Sequence, residues 1–273
     1  MNRSRTAALL STAAAAVLLT ACMEGEGGGE APAGEADVLR IDYAHYNIAG
    51  LAVRDQGLLE DALAEQDVDV EWVFSDGSNK ANENLRAEPI DIGSTAGTPA
   101  LLARANGTPI QVVEVYSQPE WSAIVAAEGS DITGPEDLAG ATVAATAGTD
   151  PYFFLLQTLD EAGIGLDEIE HADLQHADGR RALENGDVDA WAGLDPHMAA
   201  SELESGSELI HRDLDFNSFG TLNAREDFVE NEPEVVQAVV DAFGQARAWV
   251  REHPDEAAEL LASEADIDSE VAR

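Results

Sequence analysis

Apolar and polar positions follow two different rhythms along this chain, and the rhythms alternate. Residues 38–43 alternate apolar and polar side chains, as a half-buried strand does, whereas residues 51–64 repeat apolar side chains at helical spacing. The same succession returns through residues 68–116 and again through residues 121–223. Repeated strand-helix units favour mostly parallel sheets with helices on both faces, so we expect an α/β protein.

The individual elements can be assigned from these rhythms. We expect strands at residues 38–43, 68–74, 89–93, 110–116, 121–127, 142–146, 169–174 and 188–192, with extended segments at 208–212 and 219–223. We expect helices at residues 51–64, 77–87, 99–105, 151–162 and 177–184, one that starts near Pro196, and a long one between Pro233 and Pro254. That long helix is the last clear element of the pattern.

The beginning of the chain has the composition of an export signal. Arg3 and Arg5 precede an apolar run at residues 7–19 that is too short to span a bilayer, and Leu-Thr-Ala then precedes Cys22, the only cysteine. A lone thiol cannot form an internal disulfide, so we expect Cys22 to carry a diacylglycerol and residues 1–21 to be removed. An ordinary signal peptide with an incidental cysteine is the alternative. Residues 22–37, rich in Gly, Glu and Ala, would form a flexible tether.

The charge balance excludes some partners. Acidic residues outnumber basic ones by 54 to 14, for a formal net charge of −40. Arg180 and Arg181 are the only adjacent basic pair after the signal segment, whereas nucleic acid binding needs clustered positive charge. At roughly 1 M salt the Debye length falls to ~3 Å, which screens the self-repulsion of such an acidic surface. We therefore expect a folded protein adapted to brine, with no nucleic acid partner.

Two turns have the composition of a site for an anion or a polar ligand. Residues 93–98 (Gly-Ser-Thr-Ala-Gly-Thr) and 146–150 (Thr-Ala-Gly-Thr-Asp) each join a predicted strand to an apolar helix, which begins at Pro99 or at Pro151. Glycine lets a ligand approach the backbone, and the free N–H groups of a helix N-terminus bind anions. Ordinary helix caps have the same composition, but the matched placement in successive α/β halves favours a binding site.

Four segments, taken in order, point to a family. They are residues 57–60 (Gly-Leu-Leu-Glu), 90–95 (Ile-Asp-Ile-Gly-Ser-Thr), 144–149 (Ala-Ala-Thr-Ala-Gly-Thr) and 186–196 (Gly-Asp-Val-Asp-Ala-Trp-Ala-Gly-Leu-Asp-Pro). This set resembles the signature stretches of ABC-transporter substrate-binding proteins for nitrate, taurine and aliphatic sulfonates, over residues 38–250. The resemblance implies a two-lobed type II periplasmic-binding-protein clamshell, the Venus flytrap, with the ligand in the cleft. One lobe would comprise residues 38–116 and 218–273, and the other residues 117–217.

The resemblance also implies which residues contact the ligand. They are Tyr46 and Asn47 in the first loop, Ser94, Thr95 and Thr98 in the first-lobe turn, Gly148 and Thr149 in the second-lobe turn, and Asp195, with Glu120 and Trp121 lining the cleft. Thr95 and Thr149 would face each other across the cleft. The chain departs from the family at Asp150, Pro151 and His197, where many relatives have other residue types.

The acidic residues near the predicted cleft bear on the ligand. A carboxylate at Asp150 would weaken the binding of an anion unless it caps its own helix. With Glu120 and Asp195 nearby as well, a zwitterion such as taurine could direct its sulfonate to the helix N-termini and its ammonium to a carboxylate. We therefore expect a monomeric, cofactor-free lipoprotein outside the cytoplasm that captures a sulfonate or taurine for ABC permease subunits. Nitrate or a thiamine-pyrimidine precursor is the alternative ligand.

An enzyme is the alternative of a different class, because the same clamshell also serves biosynthetic enzymes. The sequence offers no nucleophilic cysteine apart from Cys22, and Lys80 lies in a polar helix. His171 and His176 span a strand-to-helix junction without a third ligand nearby, so we expect a solvated pair and no metal site. His45 and His197, nearest the cleft, suit a hydrogen-bonding or lid role better than acid-base catalysis.

The first prediction concerns the anchor. Replacing Cys22 with Ala should release the protein into the medium or leave its signal segment uncleaved, because the thioether attachment atom is lost. Cell fractionation and mass spectrometry of membrane material measure both results. An unmodified Cys22 in the membrane fraction would contradict the lipoprotein assignment.

A second prediction concerns salt. The melting temperature should fall markedly as salt is lowered from molar to millimolar concentrations, because the screening of the acidic surface is lost. Calorimetry at a series of NaCl concentrations measures the dependence. An unchanged melting temperature would contradict the adaptation to brine.

Overall fold

The structure is a computed structural model, and it describes residues 36–273. The predicted signal segment, the predicted lipidation site at Cys22 and the predicted tether up to residue 35 lie outside the described residues. Between residues 36 and 273, no helix combines the length and the apolar character needed to cross a membrane.

Strands and helices alternate through the described residues. The strands are β1 (Val38–Tyr43), β2 (Asp69–Phe74), β3 (Ile92–Ala96), β4 (Ile110–Ser117), β5 (Ser122–Ala126), β6 (Thr142–Ala144), β7 (Glu170–Ala172), β8 (Ala190–Leu194), β9 (Glu208–His211) and β10 (Gly220–Arg225). The helices are α1 (Ile48–Asp55), α2 (Leu58–Leu63), α3 (Ser78–Ala87), α4 (Gly97–Ala105), α5 (Asp150–Ala162), α6 (His176–Asn185), α7 (His197–Ser205), α8 (Glu226–Asn231), α9 (Pro233–Glu252) and α10 (Pro254–Ala265).

The strands form two five-stranded sheets. The first has the order β2-β1-β3-β10-β4, and the second has the order β7-β6-β8-β5-β9. Both sheets are mixed, with as many antiparallel as parallel pairings, where the sequence predicts mostly parallel sheets. The antiparallel strands are β10 in the first sheet and β5 in the second. Each is the first strand after the chain crosses from one sheet to the other, and it enters its new sheet from the opposite direction.

Both sheets carry helices on their two faces, and successive strand residues point to opposite faces. In the second sheet, Ile124 of β5 packs with Phe154 of α5, and the neighbouring Val125 packs with Trp191 and Met198 on the other face. In the first sheet, Ile41 of β1 lies in a core that includes residues of α1, α2 and α9. The predicted two-lobed α/β architecture is confirmed, and the parts built on the first and second sheets are called the first and second lobes below.

Two predicted helices differ from the observed ones. The helix expected at residues 51–64 is divided into α1 and α2, because Gly57 between them adopts a left-handed conformation with a φ of 63°. The chain also forms α10, which follows the long α9 and was not assigned from the sequence. Pro254 ends the one helix and starts the next, since proline is tolerated in a first turn.

The strand expected at residues 89–93 lies three residues later, as β3. The sequence pattern does not predict a strand at Ser94 and Thr95, because both residues are polar, but the structure buries both of them. The main-chain N–H and the hydroxyl of Ser94 donate to Asp42 Oδ1 at 2.7 and 3.0 Å, and Asn223 Nδ2 donates to Thr95 Oγ1 at 2.8 Å. Most of the predicted turn at residues 93–98 is therefore strand, and its helix, α4, starts at Gly97.

Asp42, near the end of β1, has a buried carboxyl group. Its side chain is 2% exposed, and burial raises the pKa of this carboxyl from 3.8 to about 7 in spite of the hydrogen bonds from Ser94. The folded protein thus holds a proton on Asp42 that the unfolded chain releases at lower pH. The stability that this protonated carboxyl contributes is lost as the pH rises from about 4 to about 7.

Replacing Asp42 with Asn should therefore raise the free energy of unfolding above pH 7 and change it much less near pH 4. Asparagine keeps an oxygen acceptor for Ser94 and has no charge to desolvate. A shift of about three pKa units corresponds to at most ~4 kcal/mol between the two pH values. Denaturant unfolding across this range measures the difference. The control is Asp61→Asn on the exposed face of α2, which removes the same charge; identical pH profiles for the two variants would contradict the assignment.

Candidate functional site

A narrow space of only about 10 Å³ lies between the two lobes, and we call it the inner cavity. Its lining residues are Tyr46, Ser78 and Ala96 of the first lobe, Thr149, Asp150, Pro151, His176 and Leu194 of the second lobe, and Trp121 in the connecting segment. This is room for about one water molecule, far below the ~300–1,000 Å³ typical of pockets for drug-sized ligands, so a larger molecule would fit only with the lobes further apart. Three of the predicted ligand-binding residues, Tyr46, Trp121 and Thr149, line it.

Three helices begin at the wall of the inner cavity. Ser78 is the first residue of α3, Thr149 is the N-cap of α5, and His176 is the first residue of α6. The first N–H groups of a helix have no acceptor within the helix, and this end carries the positive part of the helix dipole. Among the described residues that line the cavity, none is Lys or Arg. The positive potential of this site therefore comes from the backbone.

The fourth helix near the cavity, α4, is capped by the chain itself. Ser218 Oγ accepts hydrogen bonds from the N–H groups of Gly97 and Thr98 at 3.0 and 3.3 Å, and the Phe219 carbonyl accepts from Gly97 at 2.8 Å. The sequence predicts that the first-lobe turn presents these N–H donors to a ligand. In the structure Ser218 and Phe219 occupy them, so this prediction is wrong. Thr98 lies outside the cavity lining, and so do Ser94 and Thr95, which are bonded inside the first lobe.

Asp150 is fully engaged with the two segments that connect the lobes. Its Oδ2 accepts hydrogen bonds from Trp121 Nε1 and from the Ser218 N–H, both at 2.9 Å, and its Oδ1 accepts from Ser218 Oγ at 2.7 Å. The carboxylate does not cap its own helix by a side-chain bond. Its charge is instead met by three neighbouring donors, which reduces the conflict with an anion that the sequence suggested.

The second-lobe turn reaches the inner cavity through Thr149. Thr149 is 1% exposed, and its hydroxyl donates to the Thr146 carbonyl at 2.6 Å. Gly148, with a φ of 76°, gives the turn a backbone conformation that favours glycine, and it is not among the residues that line the cavity. Since Thr149 lines the cavity and Thr95 does not, the predicted pair of threonines facing each other across the cleft is not found.

A second cavity of about 300 Å³, the outer cavity, shares Tyr46 and Trp121 with the inner one. Their rings meet edge to face, with centroids 6.1 Å apart. The outer cavity also contains Glu120 and Asp195. Both carboxylate oxygens of Glu120 accept from Arg212 at 2.9 Å, whereas Asp195 Oδ1 accepts from the Ala199 N–H at 3.2 Å. Burial raises the pKa of Asp195 from 3.8 to about 6.

Asn47 has a structural position. Its Oδ1 accepts a hydrogen bond from the Gly50 N–H at 3.1 Å and so caps α1, and its side chain is 3% exposed. It lines neither the inner nor the outer cavity. Asn47 thus fixes the first turn of α1. The neighbouring Tyr46 is held separately, because its hydroxyl donates to the Ser94 carbonyl at 2.8 Å.

Sequence reasoning missed Ser78 and His176. The expected solvated pair of His171 and His176 is not found, because His176 is 1% exposed and lines the inner cavity, while His171 Nε2 lies 3.0 Å from the Ala145 carbonyl. Burial, together with nearby His197, lowers the pKa of His176 from 6.5 to about 3. The usable signal was positional: both residues start a helix directly after a strand and a short loop, as Thr149 does.

Two other histidines, His45 and His197, lie near the cleft. His45 lines the outer cavity and lies 4.9 Å, ring to ring, from Phe74. His197 starts α7, and burial, with Arg180 nearby, lowers its pKa from 6.5 to about 4. Within residues 36–273, no group of three His, Cys, Asp or Glu side chains is arranged to hold a metal ion.

Comparison with known proteins supplies independent information about this fold and this cleft. The family described as NMT1/THI5-like matches residues 63–257. A provisionally named aliphatic sulfonates-binding protein of Escherichia coli (strain K12) is 32% identical over 228 residues, which are 83% of this chain and 71% of that protein. A taurine-binding periplasmic protein of the same strain is 27% identical over 70% of this chain and 60% of that protein.

A solved structure agrees with these sequence relatives. The crystal structure of the periplasmic aliphatic sulphonate binding protein SsuA from Escherichia coli matches with a TM-score of 0.74 and 29% identity. The match covers 86% of this chain and 77% of that one. The resemblance drawn from the four sequence segments is thereby confirmed at the level of the family.

Proposed function

The chain belongs to the NMT1/THI5-like family, and from this premise we propose that it is the extracytoplasmic solute-binding protein of an ABC importer. It captures a small sulfonate-type anion, an aliphatic sulfonate or taurine, in the inner cavity. The relatives named for binding aliphatic sulfonates and taurine support this class of ligand.

The observation that carries the proposal is the convergence of three helix N-termini on one cavity. The sulfonate oxygens would accept hydrogen bonds from the free N–H groups at the starts of α3, α5 and α6. Each dipole contributes only ~0.3–1 kcal/mol at an exposed site and up to ~2 kcal/mol when partly buried, so the three together orient the anion as much as they hold it. Trp121 and Tyr46 would cover the apolar part of the ligand.

Binding and release require that the lobes move apart. We propose that residues 38–116 and 218–273 move as one lobe against residues 117–217, with the two connecting segments as the hinge. Only an amine at the far end of a longer aminosulfonate, one that extends past Tyr46 and Trp121, would reach Asp195 in the outer cavity. The predicted thioether at Cys22 would keep the protein near its permease partner as a monomer at the membrane surface.

We also propose that the protein performs no reaction on its ligand. The groups nearest the inner cavity that could act in catalysis are occupied or neutral: Asp150 accepts three hydrogen bonds, and the pKa of His176 is far below neutrality. The two sequence relatives described above are also named as binding proteins. A ligand recovered unchanged after incubation is the corresponding test.

The function predicts a specific effect of filling the inner cavity. Thr149→Leu should reduce the affinity for ethanesulfonate and taurine by roughly 100-fold or more, because the larger side chain occupies the space next to the start of α5. Isothermal calorimetry in about 2 M salt, where the acidic surface is screened, measures the affinity. At a ligand concentration 100 times Kd, native protein should also gain ~2.7 kcal/mol of stability.

The matched control is Thr133→Leu on the exposed surface of the second lobe, which should bind as the native protein does. Circular dichroism verifies that both variants fold. Native protein that binds no sulfonate, or that converts the ligand, would refute the proposed function. Preferential binding of nitrate or a pyrimidine would show that the ligand is not a sulfonate, whereas the assignment as a solute-binding protein would stand.

A further inference from the structure

Among the described residues that line the inner cavity, only His176 has a buried side-chain polar atom without a hydrogen-bond partner. The ring is 1% exposed, and its Nε2 has no hydrogen-bond partner. This atom lies against the first lobe, since a Cβ built on Gly77 would be 3.1 Å from it. The ring therefore reaches from the start of α6 to Gly77, next to the start of α3, and a ligand would contact Nε2 only with the lobes further apart.

The other ring nitrogen fixes the tautomer. His176 Nδ1 lies 3.3 Å from Thr146 Oγ1, and that hydroxyl donates its only hydrogen to the Leu174 carbonyl at 2.7 Å. The Thr146 oxygen can then only accept from the ring, so the hydrogen of the neutral imidazole is on Nδ1. Nε2 is consequently a bare acceptor. A bare acceptor without a partner is costly in a buried site, because its hydration is lost and nothing replaces it.

A sulfonate group cannot satisfy this atom, because its three oxygens are acceptors too. The partner that Nε2 requires is an O–H or N–H donor. We propose that His176 is a specificity-determining residue that selects small sulfonates bearing a hydroxyl or amino group, whose donor binds Nε2 while the sulfonate occupies the helix N-termini. This inference rests on the proposed function and narrows its ligand class.

The position of His176 and the lining restrict where that donor can be. His176 is itself the first residue of α6, so a sulfonate at the helix starts and a donor at Nε2 must belong to one short molecule. Leu194, and not Asp195, is the lining residue at the end of β8, so a ligand confined to the inner cavity meets His176 and not the carboxylate of the outer cavity. The low pKa of His176 agrees with a ring that stays neutral and accepts.

The test compares two ligands that differ by one hydroxyl group. Native protein should bind hydroxyethanesulfonate about tenfold or more tightly than ethanesulfonate, because the unsubstituted ligand leaves Nε2 buried without a donor. His176→Asn should abolish this preference, since the Asn amide can replace Nδ1 at Thr146 but does not reach the position of Nε2. His176→Gln places an acceptor near the Nε2 position and should restore part of the preference.

The matched control is His171→Asn in the same lobe, whose ring is bonded to the Ala145 carbonyl and should not affect the preference. Calorimetry gives both affinities for each variant, and the melting temperature verifies the fold of the His176 variants. Equal affinity of native protein for the two ligands overturns this inference alone. Uptake of a proton with ethanesulfonate overturns it as well, because His176 would then be a donor. Failure of native protein to bind any sulfonate overturns it together with the proposed function.

Discussion

The buried carboxylate of Asp150 holds together the region on which the binding cleft depends. The residue sits at the start of α5, where the helix dipole favours a negative charge, and it accepts hydrogen bonds from Trp121 and Ser218, one in each segment that connects the lobes. Asn217 adds a second link, since its side chain bonds both the N–H and the carbonyl of Ser122. The same contacts position Trp121 in the cavity wall and Ser218 on the start of α4. The Asp150 carboxylate thus positions the Trp121 ring, the cap on α4 and the two connecting segments.

At the anion site proposed for this acidic protein, the positive potential must come from groups close to the ligand. The formal net charge is −40, and the basic side chains near the cleft are paired with acids, as Arg212 is with Glu120. Backbone N–H groups at helix starts provide donors that need no basic side chain and are fixed by the fold. In concentrated salt the distant surface charges are screened over ~3 Å, so the donors in contact with the ligand decide its binding. His176, the other polar group proposed to contact the ligand, is also uncharged, because burial lowers its pKa.

Polar composition proved an ambiguous indicator of the site. Ser94 and Thr95 have the residue types of a ligand-binding turn, yet both are fully buried and bonded to Asp42 and Asn223 within the first lobe. Thr149 has the same type and lines the cavity. Buried polar groups must find hydrogen-bond partners in either case, so a hydroxyl in a strand and a hydroxyl at a ligand are indistinguishable before the neighbours are known.

The sequence alone predicts the alternation of strands and helices, the two-lobed α/β class and the family, and it singles out Tyr46, Trp121 and Thr149, which line the inner cavity. These follow from local periodicity and from short ordered segments, which depend on residues near one another in the chain. The tertiary structure is needed to show that β5 and β10 run antiparallel to their neighbours, that Ser218 caps the start of α4, and that His176 reaches the cavity. Each of these depends on contacts between segments far apart in sequence, where hydrogen-bond partners are set by the packing of the lobes.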